Sequence, residues 1–177
     1  MNSSDVDLTR RGFLRGRMLT SEGRERQEKE MKPLGPVIPW LQQVVSMETC
    51  GDCAQPCVSS CSQQVIANHP QSHQLAGTPY LDFSQSGCTW CGDCTEACPE
   101  LDQCIDPVGM NIGTVELNRQ QCHAWNGVFC MSCIGYCDAT ALSLNPQRQL
   151  QIDAALCNGC GRCVSPCPGT ALSVKAA

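Results

Sequence analysis

The sequence predicts an α+β fold in two similar halves, each built of short strands and short helices around cysteine loops. Three observations lead there. Seventeen of the 177 residues are Cys while aromatics are only 5%, so a conventional apolar interior would be thin and the chain needs staples, either disulfides or metal. The cysteines fall into four modules that run irregular, regular, irregular, regular. Segments that alternate apolar and polar residues, the period of a strand, recur beside those modules.

The first element is an arm and linker, residues 1–45. Its "LTRRGFLRGR" is close to a twin-arginine export signal, but "MLTSEGRERQEKEMK" follows. A secretory segment needs an apolar run of about 7–15 residues at that point, and this one is dense with charge. No later stretch reaches the roughly 18 apolar residues of a spanning helix; "PLGPVIPWLQQVV" is interrupted by three Pro. The chain is therefore expected to stay in the cytoplasm, with no integral membrane segment. Residues 1–32 hold eight of the twelve basic residues and six acidic ones, a net +2, whereas 33–177 hold four basic and eleven acidic, a net −7. An acidic body argues against nucleic acid, whose phosphates need Lys and Arg. The arm reads either as a solvated tail or as a docking arm in which Arg10, Arg11, Phe13 and Leu14 meet a partner and fold on binding. Ile38, Trp40, Leu41, Val44 and Val45 are expected to pack against the first half, unless an exposed Trp40 serves a partner.

The modules carry the chemistry. They are "CGDCAQPCVSSC" (Cys50, Cys53, Cys57, Cys61), "CTWCGDCTEACP" (Cys88, Cys91, Cys94, Cys98), "CHAWNGVFCMSCIGYC" (Cys122, Cys130, Cys133, Cys137) and "CNGCGRCVSPCP" (Cys157, Cys160, Cys163, Cys167). The second and fourth are C-x2-C-x2-C-x3-C-P, the bacterial ferredoxin run for a 4Fe–4S cluster. The first has a longer middle gap and the third a seven-residue first gap. Two-residue gaps let one short loop bring three thiolates to three corners of a small cube. Gly51, Gly92, Gly159 and Gly161 suit such a loop, since a residue without Cβ lets backbone approach a cofactor closely. Pro99 and Pro168 are expected to start the next short helix. In two-cluster ferredoxins the fourth Cys of one module serves the other module's cluster. That crossed rule pairs Cys50, Cys53 and Cys57 with Cys98; Cys88, Cys91 and Cys94 with Cys61; Cys122, Cys130 and Cys133 with Cys167; and Cys157, Cys160 and Cys163 with Cys137.

Three blander readings compete. Disulfides would leave one thiol over from an odd count, and three Cys in seven residues are too dense for so many bridges. Zinc favours two separated pairs. Unligated thiols would leave the thin core unrelieved. Cys104, outside every module, reads as a spare buried thiol, with substitution for Cys122 as its rival. Cys122 is accordingly expected to matter less to iron retention than Cys163. His69 and His73 lie in a Pro- and Gln-rich linker and read as solvated; His123 reads as a neighbour of Cys122 and not a ligand.

Strand signals complete the halves, 46–108 and 109–177. "YLDFS" precedes Cys88, "GTVELN" precedes Cys122, and "ALSLN", a turn at Asn145-Pro146 and "LQID" lead into Cys157. "TALSVK" alternates after the last module. Each half is read as a ferredoxin-like unit with antiparallel strands, two short helices and two clusters in place of the missing core, so the apo chain should be largely unfolded.

Taken with the arm, the modules resemble the NapF family of ferredoxin-type proteins. The likeness rests on the N-terminal Arg-Arg-Gly, the irregular first module, the C-P second module, the C-x7-C of the third and "LCNGCGRC" in the fourth. It implies a cytoplasmic accessory protein with three or four labile 4Fe–4S clusters. Its implied partner is the catalytic subunit precursor of a periplasmic molybdenum nitrate reductase, whose iron–sulfur and molybdenum sites it helps mature before export. No nucleophile–base pair or phosphate loop is visible, so no enzyme activity is expected. The rival readings are an electron-transfer ferredoxin feeding a reductase and an iron–sulfur subunit of a membrane-bound complex.

Overall fold

The computed structural model describes residues 33–41, 49–50, 53–101 and 109–176. Arg10, Arg11, Phe13, Leu14, Val44, Val45, Gly51 and Cys104 lie outside the described residues.

In the first half, α1 (Pro56–Ser60) starts on a proline, whose missing N–H would have had no helical partner in the first turn. Strands β1 (Ile66–Asn68) and β2 (Pro79–Leu81) form an antiparallel pair with Ile66 opposite Leu81. Helix α2 (Asp93–Glu96) carries both its acidic residues in the first turn, where the helix dipole favours them.

In the second half, β3 (Gly113–Leu117) pairs antiparallel with β6 (Leu172–Ala176), the two segments that flank both modules. β4 (Leu142–Leu144) and β5 (Leu150–Ile152) form the hairpin between the modules. Its turn is closed by Asn145, whose Oδ1 accepts from Gln149 N at 2.8 Å and whose carbonyl accepts from Arg148 N at 2.8 Å. Among the described residues each sheet has only two strands, an arrangement that needs outside packing to persist.

That packing comes from two cores in which thiols stand among aliphatics. Ile38, Trp40, Leu41, Cys57, Val65, Ile66, Leu81, Phe83 and Ile112 form the first; Val115, Cys122, Cys133, Leu142, Leu150, Cys163 and Leu172 belong to the second. The stretch 34–41 is part of the first core. Pro36 O accepts from Leu81 N at 2.8 Å, and Trp40 is 1% exposed, so it does not offer a free surface to a partner.

Three expectations are corrected. Helices in the second half give way to 3₁₀ turns at His123–Asn126 and Ile134–Tyr136, runs of four and three residues, the short length at which 3₁₀ geometry occurs. Pro168 starts no helix; it sits in a two-residue turn that feeds β6. His69 is not solvated but 2% exposed. Its Nδ1 lies 2.8 Å from Thr78 O, and its Nε2 accepts from Leu34 N at 3.2 Å. This clamps the 34–41 stretch to the β1–β2 loop. His73 stacks on the same ring, centroids 4.7 Å apart.

The halves meet through their regular modules. Cys88 N donates to Cys160 O at 2.7 Å. Gly87 faces Arg162, and Gly161 faces the ring of Phe83.

Candidate iron–sulfur centres

Each set of thiols is assembled from both modules of a half. α1 holds Cys57 near Cys50 and Cys53, and the turn after α2 returns Cys98 to them. Burial raises the Cys57 thiol to about 11, helped by the charges of Cys98, Cys50, Cys94 and Cys53. Burial likewise raises Cys50, with Cys98 and Cys53 next in order. Cys88 is raised to about 11 by burial, against a lowering backbone hydrogen bond from Trp90, and it feels Cys94, Cys91 and Cys61.

The second half repeats the arrangement. Burial pushes Cys133 up to about 11, with Cys167 the largest neighbouring charge, then Cys130 and Cys122. Cys163 is pushed up to about 12 by burial and by Cys160, Cys133, Cys137 and Cys157. Without positive iron, these enclosed thiols hold their protons because a buried thiolate lacks solvation.

Cavities coincide with three of the sets. Cys61, Cys88, Cys91 and Cys94 line one, together with Trp40 and Ile112. Cys122, Cys130, Cys133 and Cys167 line a second. Cys137, Cys157, Cys160 and Cys163 line a third. These are the crossed groupings. The fourth group, Cys50, Cys53, Cys57 and Cys98, is brought together in mutual charge. The seven-residue gap of the third module closes in space: Trp125 N and Asn126 N donate to Cys122 O, and that 3₁₀ turn puts the buried Cys122 on the wall with its companions. His123, its neighbour, is exposed.

Backbone donors point at the sulfurs. Gln55 N lies 3.3 Å from Cys53 Sγ, Ala171 N 3.3 Å from Cys167 Sγ and Val115 N 3.4 Å from Cys157 Sγ. Such N–H groups stabilise thiolate and tune whatever it ligates. The sixteen described cysteines form no disulfide among themselves. Nor, among the described residues, do three His, Cys, Asp or Glu side chains close on a single metal ion; the thiols of a set stand apart around their cavity. Four thiols, an apolar enclosure and inward N–H groups fit a 4Fe–4S cluster in chemistry and shape. When bound, such a cluster supplies one-electron redox chemistry.

The role expected of the glycines changes. A Cβ on Gly159 would meet Gly113 N at 2.5 Å, and one on Gly161 would meet the Phe83 ring. Close approach of chain to chain requires glycine there. Sequence reasoning also missed Trp40 and Ile112 as walls of a thiol cavity, since Trp40 sits in a short apolar run that reads simply as core and Ile112 stands alone between Asn111 and Gly113.

Residues 150–173 match the 4Fe-4S binding domain. That segment holds the last module, but Cys137 lies outside it, so it cannot close a crossed set alone. The wider comparison covers nearly everything. The chain is similar to ferredoxin-type protein NapF. It is 26% identical to the Escherichia coli K12 protein over 176 residues, 96% of each chain, and equally similar to the NapF proteins of the O6:H1 and O157:H7 strains. Both findings support a NapF-like iron–sulfur protein of ferredoxin type. Among the described residues no helix is long and apolar enough to cross a membrane.

Proposed function

We propose that this chain holds 4Fe–4S clusters in the four crossed thiol sets, as two tandem two-cluster units. It uses them in the cytoplasm to mature the catalytic subunit of a molybdenum nitrate reductase before that subunit is exported. The observation that carries the cluster assignment is the match between three cavities and three crossed sets. The likeness to NapF over 96% of the chain supports the partner. Docking belongs to the arm with Arg10, Arg11, Phe13 and Leu14, whose basic start contrasts with the acidic body.

Iron and sulfide per chain after anaerobic purification, with paramagnetic resonance of the reduced protein, test the first part. Four clusters correspond to about sixteen irons; a compact, iron-free protein would refute the assignment. The second part predicts that cluster-loaded protein binds the unexported precursor and restores cluster to its apo form.

A second reading, electron transfer to a reductase, is favoured by one contact. The Cys88 N–Cys160 O bond joins the set of Cys61, Cys88, Cys91 and Cys94 to that of Cys137, Cys157, Cys160 and Cys163 across the halves, which suits electrons passing along a series of clusters. Catalytic reduction of the mature enzyme with no contact to the precursor would select this reading.

A further inference from the structure

All three tryptophans stand beside thiols, and the indoles of Trp40 and Trp125 differ. Trp125 Nε1 donates to Leu150 O at 3.0 Å. Trp40 Nε1, on a side chain 1% exposed, is buried and meets no partner at hydrogen-bonding geometry among the described residues. Buried Trp N–H groups usually find an acceptor, and an unmet donor is unfavourable. Trp40 lines the cavity of Cys61, Cys88, Cys91 and Cys94. Of these thiols, Cys94 is the one near enough to feel the Trp40 side chain.

We propose that the Trp40 indole N–H donates to the Cys94 sulfur when this set holds its cluster, and so raises that cluster's reduction potential. The inference rests on the cluster assignment above. On reduction one electron enters from an external reductant and no proton moves; negative charge on the sulfurs grows. A donor aimed at sulfur strengthens as that charge grows, so it favours the reduced form. Trp40 ligates nothing and acts through Cys94.

The test is a dithionite-poised redox titration of the full cluster-loaded chain, read by paramagnetic resonance. The relevant signal is assigned as the one altered by Cys91→Ser. Trp40→Phe should shift that midpoint downward and leave the others in place, with iron per chain unchanged. Where Trp40→Phe disturbs packing, replacing Trp40 by benzothienylalanine, a shape match with sulfur in place of N–H, should give the same shift. An unmoved midpoint in the benzothienylalanine protein, a common shift of all signals, or loss of iron from it would overturn the proposal. A wild-type chain lacking iron and signal would instead overturn the cluster assignment itself.

Discussion

Substituting Gly161 by Ala probes the seam between the halves. Gly161 has φ +73°, and a Cβ there would stand 2.6 Å from Phe83 Cδ2 and nearer still to Cγ and Cδ1. The left-handed backbone is disfavoured for Ala by about 1–2 kcal/mol. Forcing the ring of Phe83, 5% exposed, off its seat adds about 1–3 kcal/mol of overpacking. The sum is about 2–5 kcal/mol. Gly127 separates the two parts, because its φ is +79° and a Cβ there meets nothing within 4 Å. Gly127→Ala should therefore lose only the backbone part, about 1–2 kcal/mol. The assay is anaerobic urea unfolding of cluster-loaded protein, followed by circular dichroism and cluster absorbance together. With a slope of about 2 kcal/mol per M, Gly161→Ala should lower the midpoint by about 1–2.5 M and Gly127→Ala by at most about 1 M. In a double-mutant cycle, Phe83→Ala should relieve part of the Gly161→Ala loss, a coupling of about 1–3 kcal/mol. Equal losses at Gly161 and Gly127, or strict additivity with Phe83→Ala, would show that the ring does not occupy the Gly161 face.

Three further outcomes are expected. Cys122→Ala should release as much iron as Cys133→Ala, about four per chain, since both thiols are 7% exposed on one cavity wall; iron analysis that finds Cys122→Ala intact would return the role to another residue. Burial pushes the His69 imidazole below its ordinary 6.5, so as pH falls the unfolded chain takes the proton first. The clamp is complete above about pH 6.5 and is lost as pH drops through the lowered folded value; hydrogen-exchange protection at Leu34 should fall across that window, and a flat profile would count against it. Removing residues 1–32 should weaken binding of the reductase precursor while cluster absorbance stays intact, and unchanged affinity in a binding titration would dispose of the docking arm.

Much of the architecture was readable from residue order. The strands at 113–117, 142–144, 150–152 and 172–176 follow the alternation that puts every second side chain into a core. β1 was harder to see, because Val65 and Ile66 are both buried and "QVIANH" shows no clean period. The helices were over-read in the second half, where runs of only four and three residues close as 3₁₀ turns. Gly159 and Gly161 were assigned to cofactor approach, yet their neighbours are Gly113 and Phe83, which lie far away in the chain. His69 looked like linker because its partners come from residues 34, 73, 78 and 80, and no local pattern announces a clamp.

Ligand chemistry is local. Spacing between cysteines limits which thiolates a short loop can bring to one body, so the metal class could be anticipated from order, whereas the crossed pairing was expected from the rule of two-cluster ferredoxins. Contacts between distant segments are not local. That the indole of Trp40 faces Cys94 without another acceptor, that Cys122 returns across a seven-residue gap, and that Cys88 bonds to Cys160 all depend on how segments with no periodic relation pack against one another. Packing complementarity is settled by shape in three dimensions, and a linear pattern of apolar residues records only that something must be buried, not against what.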